Sequence, residues 1–259
     1  MPEQIAILGS GNVAHHLIRG FNLIGQPVKY LIARNRKKGL ALVEEVSSST
    51  IVLQGTELHK LNFSFLIICV QDTQIKEIVK AISIPKNCVI VHTSGSINID
   101  VFKGNFTTYG VLYPFQTFSK KRALKINETP FFIEGSNSNT LNRISTVALS
   151  LTQKVKSLDS TLRANLHLTG VIVNNFTNHL ITQAFSMAEK NGLEKDDLIP
   201  LINETIAKVS DLQIEDSQTG PAIRGDQEVI EKHLNMLNNN PYLKALYSLF
   251  TTQIQRQKA

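Results

Sequence analysis

Two glycines in Gly9-Ser10-Gly11-Asn12-Val13-Ala14 stand at the spacing that brings backbone up against a diphosphate. In a Gly-x-Gly-x-x-Gly/Ala turn the first glycine makes a sharp exit from a strand. The second removes the side chain where phosphate approaches, and the last small residue lets the following helix pack closely. Free N–H groups and the positive end of the helix dipole then attract the phosphates. The pattern alone is weak, so its surroundings decide. Residues 4–8 ahead of it are apolar and strand-like, and residues 12–24 behind it read as helix. Gly9, Ser10, Gly11, Asn12 and Val13 are therefore expected to hold a dinucleotide.

A second strand over 28–33 ends in Ala33-Arg34-Asn35-Arg36. NAD sites usually place Asp or Glu here for the ribose 2′-hydroxyl, and this chain has neither. A guanidinium fork instead matches the charge and geometry of a 2′-phosphate. A purely solvated basic turn at a helix start is mildly disfavoured by the dipole. The expected cofactor is NADP(H), with Arg34 as the main contact and Asn35 and Arg36 beside it. Val70, closing the apolar run 64–70, is expected to line the same site.

Other residues could carry the reaction. His92 ends a strand over 88–92, and ligands in open α/β sheets bind at the carboxyl ends of strands. It could protonate the atom that becomes electron-rich as hydride arrives, with Ser94 orienting the substrate, or it could merely cap a turn. Asp72, after the neighbouring strand, carries the same two readings. Between 160 and 191 a long helical segment bears Arg163, His167, Asn174, Asn175, Asn178 and His179. At ~100° per residue, His167, Asn174 and Asn178 share one face, which meets either a ligand or solvent. In Thr219-Gly220-Pro221-Ala222-Ile223-Arg224-Gly225-Asp226, too punctuated for helix, Arg224 could clamp a carboxylate or phosphate with Asp226 orienting it. The two could equally form an internal ion pair. His15 and His16 are expected on a helix surface, and no His/Cys/Asp/Glu spacing suggests a metal site.

These residues need a scaffold, and the periodicity supplies one. Strands and helices alternate to about residue 158, with buried-type runs such as Ser64-Phe-Leu-Ile-Ile-Cys-Val70 implying a parallel sheet. From 159 onward only helical periodicity remains. The expected fold class is α/β: a Rossmann-type parallel-sheet domain over 1–158, followed by an all-helical domain over 159–259. Cys69 and Cys88 fall inside strand-like runs, which suits buried reduced thiols.

Composition bounds the rest. The 259 residues are 42% hydrophobic and 19% charged, enough to build a core. The +6 net charge is dispersed except at 34–38 and 120–122, without interleaved aromatics or a reading motif, so no nucleic-acid partner is expected. No run approaches the ~18–20 apolar residues of a membrane span, and no basic leader precedes the first strand. A cytoplasmic protein without membrane contact is expected.

Together with the turn and the Arg-Asn-Arg sequence, three further segments carry a resemblance: Val91-His92-Thr93-Ser94-Gly95, Tyr113-Pro114-Phe115-Gln116-Thr117-Phe118-Ser119 and the 219–226 loop. The chain resembles a bacterial family of NADP oxidoreductases in which a Rossmann-like domain precedes a helical domain of unknown function (family 2520). More distantly it is similar to pyrroline-5-carboxylate reductase and 6-phosphogluconate dehydrogenase. The resemblance implies hydride transfer to or from a small carbonyl, imine or alcohol bound between the domains, and a homodimer. The alternative is a non-catalytic NADP(H)-binding sensor or scaffold. In the related dehydrogenases the long helix supplies a Lys-x-x-x-Asn pair. No lysine matches here, so His167 and Asn175 are the nearest candidates. The family's pattern also has His-Pro where this chain has Tyr113-Pro114. Tyrosine can donate a proton, from a higher unperturbed pKa, so Tyr113 is placed on the substrate side.

Overall fold

The computed structural model describes residues 2–46 and 48–256. The chain divides into two compact units, residues 1–174 and 175–259, with the division inside the long helical segment rather than at its start.

In the first unit β1 (Ile5–Leu8), α1 (Asn12–Leu23), β2 (Tyr30–Ile32), α2 (Arg36–Glu45), β3 (Ile51–Leu53), β4 (Phe65–Ile68), α3 (Asp72–Ala81) and β5 (Val89–His92) follow in order. They are followed by β6 (Tyr109–Pro114), β7 (Phe131–Gly135), α4 (Ser138–Leu151), β8 (Val155–Ser157) and α5 (Ser160–Gly170). One sheet runs in the order β3-β2-β1-β4-β5-β6-β7-β8. The order reverses between β1 and β4, the switch point where ligands of doubly wound sheets bind. β1 to β6 are parallel, but β7 runs antiparallel to β6 and β8 parallel to β7. The expected parallel sheet holds through β6, and the single antiparallel pairing at β7 has a simple reason. Between β6 and β7 the chain forms only a short 3₁₀ turn, Ile126–Glu128, and no crossover helix returns it to the starting edge.

Both faces of the sheet are covered. Phe65 and Ile67 of β4 point into one cluster with Leu17, Phe21 and Ile144, while Leu66 and Ile68 point into another with Ile75, Val79 and Phe102. This two-sided burial explains why the strands read as continuous apolar runs. Cys69 and Cys88 are free and buried, and burial pushes both thiols up to about 12.

His15 and His16 correct one expectation. Both are buried on the inward side of α1, each 2% exposed. His15 Nε2 meets Glu45 Oε1 at 3.0 Å, and His16 Nε2 meets the Ser119 carbonyl at 3.0 Å. Each imidazole buries its body because one ring nitrogen finds a partner.

The second unit is helical. α5 continues through a π-helical stretch, Val171–Phe176, into α6 (Thr177–Lys190), so the long helix is real but carries a wide turn. α7 (Lys195–Asp211), α8 (Ile214–Ser217), α9 (Pro221–Arg224), α10 (Gln227–Met236) and α11 (Pro241–Arg256) follow. α9 is a single helical turn within a stretch whose punctuation implies irregular loop, with Pro221 at its first position and Gly225 in the left-handed conformation after it. Among the described residues no helix is long and apolar enough to cross a membrane.

One buried charge fixes the start of α5. Arg163 is 1% exposed; its guanidinium pairs with Glu134 of β7 and donates to the Ile97 carbonyl at 2.5 Å and to Ser160 Oγ at 3.1 Å. Ser160 N–H donates to Glu134 Oε1 at 3.1 Å, and Asp159 caps the helix through Leu162 N–H at 2.8 Å. Removing one partner leaves the other charge buried and uncompensated. Arg163→Ala is accordingly expected to lower unfolding free energy by about 3–5 kcal/mol, measured by urea denaturation. A change below about 1 kcal/mol, the range of exposed pairs, would contradict this role.

Candidate functional site

The turn after β1 has the predicted form. Gly9 has φ +115°, and a Cβ there would overlap the Cys69 carbonyl and lie 3.1 Å from Val70 Cγ1. Its N–H donates to the Ile32 carbonyl at 2.9 Å. Gly9 thus lets the ends of β1, β2 and β4 converge, which brings half-buried Val70 beside the turn. A Cβ at Gly11 would meet nothing within 4 Å, so there is open space at the turn. Gly11 precedes α1 without a side-chain cap, and the first turn holds no acidic residue, so its leading N–H groups remain available to an anion. Ser10 is half-buried, Val13 packs partly against the core, and the Asn12 amide donates to the Phe118 carbonyl at 2.9 Å.

Arg34, Asn35 and Arg36 follow β2, the strand paired to β1, and all three are exposed. Asn35 Oδ1 accepts from Lys38 N–H at 3.0 Å and caps α2, so only its amide N–H groups remain as donors. Neither guanidinium has an ion-pair partner among the described residues. The glycine turn, the open space at Gly11 and two unpaired guanidiniums at the neighbouring strand end suit a phosphorylated dinucleotide.

His92 is not placed to donate a proton. It is fully buried, stacks on Phe102 with ring centroids 5.6 Å apart, and accepts the Ser94 N–H on Nδ1 at 3.2 Å. Nε2 lies inside the protein without a well-formed hydrogen bond. Burial, with nearby Arg163 adding to it, pulls the ring down to about 3. Ser94 is also buried; its Oγ accepts the N–H groups of Ser96 and Ile97, each at 3.1 Å. Both residues hold the β5 turn, the capping alternative in the sequence. Asp72 joins them, accepting from Ser96 Oγ at 2.5 Å.

That turn seats another pair. Tyr113 OH and His167 Nδ1 are 2.9 Å apart, with the rings near perpendicular. A Cβ on Gly95 would come within 2.7 Å of both rings, so the pair rests directly on Gly95 backbone. Burial, and then the neighbouring Asp72 carboxylate, push the Tyr113 phenol up to about 12 against an opposing effect of Arg163. The hydroxyl therefore stays protonated at neutral pH. His167 is half-buried, one helical turn beyond Arg163. With the phenol protonated, either it donates to Nδ1, or Nδ1–H donates to it and frees its own proton to point outward.

In the second unit, Asn175 lies exposed in the π-helical stretch, and Arg224 pairs with Asp226 at 2.8 Å. The Arg224–Asp226 pair matches both loop readings. Sequence reasoning missed Gly95 as the seat of the pair and Glu134 as partner of Arg163. A lone carboxylate in the apolar run Phe131-Phe-Ile-Glu134 is the available signal. Among the described residues no group of three or more His, Cys, Asp or Glu could hold a metal ion.

A family model described as NADP oxidoreductase, coenzyme F420-dependent, matches residues 4–95, and one described as a domain of unknown function, DUF2520, matches residues 129–254. The chain is similar to a putative NADP oxidoreductase, BF3122, of Bacteroides fragilis: 34% identity over 98% of both chains, TM-score 0.87. It is also similar to protein TM1727 of Thermotoga maritima, at 21% identity over 98% of both chains and TM-score 0.72. A pyrroline-5-carboxylate reductase of Coxiella burnetii shares the fold at 19% identity, covering 100% of this chain and 98% of its own, TM-score 0.59. No curated protein matches the chain.

The placement of His92 has a measurable consequence. Its folded-state value near 3 lies below the ordinary 6.5, so as pH falls below 6.5 the unfolded chain takes up the proton first. Stability contributed by the neutral ring is lost progressively from pH 6.5 toward 3. Urea unfolding should show a flatter acid limb for His92→Gln than for wild type. Superimposable acid limbs would mean that His92 is not held neutral.

Proposed function

The chain belongs to the DUF2520 family of Rossmann-like proteins, and we propose that it is an NADP(H)-dependent reductase of a small carbonyl or imine. The observation that carries this reading is the Tyr113–His167 pair on Gly95, at the carboxyl end of the same sheet that bears the glycine turn. The cofactor, when bound, supplies hydride. Tyr113 supplies the proton to the oxygen or nitrogen that becomes electron-rich, and half-buried His167, in contact with solvent, supports the phenol oxygen through Nδ1. A phenol held near 12 still protonates an alkoxide or an amide anion, both far stronger bases. Gly9, Gly11 and the leading N–H groups of α1 hold the pyrophosphate, and Arg34 with Arg36 the 2′-phosphate. His92 and Ser94 act as positioning residues, because they shape the turn on which the pair rests. The reaction class is supported by the name of the Bacteroides fragilis relative, a putative NADP oxidoreductase, and by the fold shared with a pyrroline-5-carboxylate reductase.

NADPH oxidation across a panel of keto acids, aldehydes and cyclic imines tests the proposal. At least one member should be turned over, faster with NADPH than with NADH. Tyr113→Phe should lower kcat by about a hundredfold or more, the usual contribution of a general acid, while NADPH affinity changes little. NADPH binding with no turnover of any compound would favour a non-catalytic sensor.

The helical unit supports a second copy of this chain as partner. Among its described residues only Ala188, Ile230 and Leu237 are buried apolar side chains, while Leu201, Ile206, Val209, Met236, Leu249 and Phe250 are exposed. Where such side chains adjoin, they form the kind of apolar patch that marks a protein–protein contact. Light scattering at micromolar concentration should return a dimer mass, and a monomer mass would refute the pairing.

A further inference from the structure

The loop after β6 reaches back to the glycine turn at three consecutive positions. Phe118 offers its carbonyl to the Asn12 amide at 2.9 Å, and its ring packs against His16 with centroids 5.5 Å apart. The Ser119 carbonyl meets His16 Nε2 at 3.0 Å. Lys120 Nζ donates to the Ser10 carbonyl at 3.2 Å, inside the turn itself. These contacts span more than 100 positions of sequence and seat the loop on the first two turns of α1.

Lys120 is an unusual component of such a seat. It is exposed, and its ammonium has no carboxylate partner among the described residues. One neutral carbonyl uses one of its three donors, leaving a full charge and two N–H groups at the edge of the turn. Its hydrogen-bond partner, the Ser10 carbonyl, immediately precedes Gly11, where a Cβ would meet nothing within 4 Å, and Phe118 of the same strap holds Asn12 on the other side. A compact ammonium there suits a diphosphate better than it suits Ser10.

We propose that Lys120 is a cofactor-binding residue that contacts the pyrophosphate of the dinucleotide, held in place by the Phe118–Lys120 strap. This rests on the reading of the glycine turn as the dinucleotide site. It divides the recognition in two: Arg34 reads the 2′-phosphate, which only NADPH carries, and Lys120 reads the pyrophosphate, which NADPH and NADH share. Lys121, adjacent but without a hydrogen bond to the turn among the described residues, has no such role.

Titration by reduced-nicotinamide fluorescence, with adenosine 2′-monophosphate as a competing ligand lacking the pyrophosphate, tests the division. Lys120→Gln should weaken NADPH and NADH by the same factor, about tenfold for one charge-assisted contact, and leave adenosine 2′-monophosphate unchanged. Arg34→Ala should weaken NADPH and adenosine 2′-monophosphate and spare NADH. Lys121→Gln should stay within about twofold of wild type, as expected for a screened exposed charge. Unchanged dinucleotide affinity in Lys120→Gln, or equal losses in the Lys120 and Lys121 variants, would overturn the inference while leaving the site reading intact. A wild-type protein that binds neither dinucleotide overturns both.

Discussion

A guanidinium that is almost wholly buried needs partners inside the protein, and the sheet-facing start of α5 is arranged around that demand, although Nε of Arg163 is left without a hydrogen bond among the described residues. Glu134 of β7 and the Ile97 carbonyl after β5 converge on Arg163 from two other segments, and Ser160 Oγ meets it from its own helix. An arginine so held permits little sliding or rotation of the helix that carries it. Four residues on, one helical turn, the same helix presents His167, and its ring falls on Tyr113 and Gly95. The position of the pair is thus inherited from an ion pair that itself does no chemistry. The desolvation cost of burying Arg163 is substantial, and it is offset only while all of these partners stay together. Stability and site geometry are linked through one side chain.

Much of the α/β unit is legible in the sequence because two-sided burial writes itself as uninterrupted apolar runs. Phe65–Ile68 and Val89–His92 are of this kind, and turn residues separate them cleanly. β3 escapes because three residues, Ile51–Leu53, give no period to read. The reversal at β7 escapes because strand direction depends on what the intervening chain does in space, and a loop of ordinary composition between β6 and β7 carries no mark of it. The buried histidines of α1 are misjudged for a related reason. Residue type places an imidazole at the surface on average, but His15 and His16 find Glu45 and the Ser119 carbonyl, partners 30 and 103 positions away.

The two halves of the candidate site differ in legibility because they differ in range. The glycine turn is local: Gly9, Gly11 and Ala14 lie within six residues, and their spacing, read with the strand before and the helix after, encodes the geometry. Arg34 is nearly as local, one βαβ step away. The proposed proton-donating side is assembled from residues 95, 113 and 167, which only the fold brings together. From sequence, a histidine at a strand end is a natural donor, and His92 occupies such an end. Yet a strand end that is flanked by α5 and backed by Phe102 is interior, and an imidazole there loses its proton to burial. Position along the strand is legible in the residues, while the direction of the side chain is not.

That distinction bears on the departure of Tyr113-Pro114 from the His-Pro of the family pattern. Taken alone, tyrosine at this position exchanges a group that titrates near neutrality for one that, after burial, holds its proton to about 12. In contact with His167 the exchange is less complete, because an imidazole remains in the pair, contributed from α5 rather than from β6. On the proposed function, the phenol sets where the proton is delivered, and the half-buried imidazole sets how it is replaced. On the proposed reading, the chemistry depends on the pair more than on the identity of either member at a given position. The requirement falls on Gly95, whose missing side chain allows two rings to share one small area of backbone.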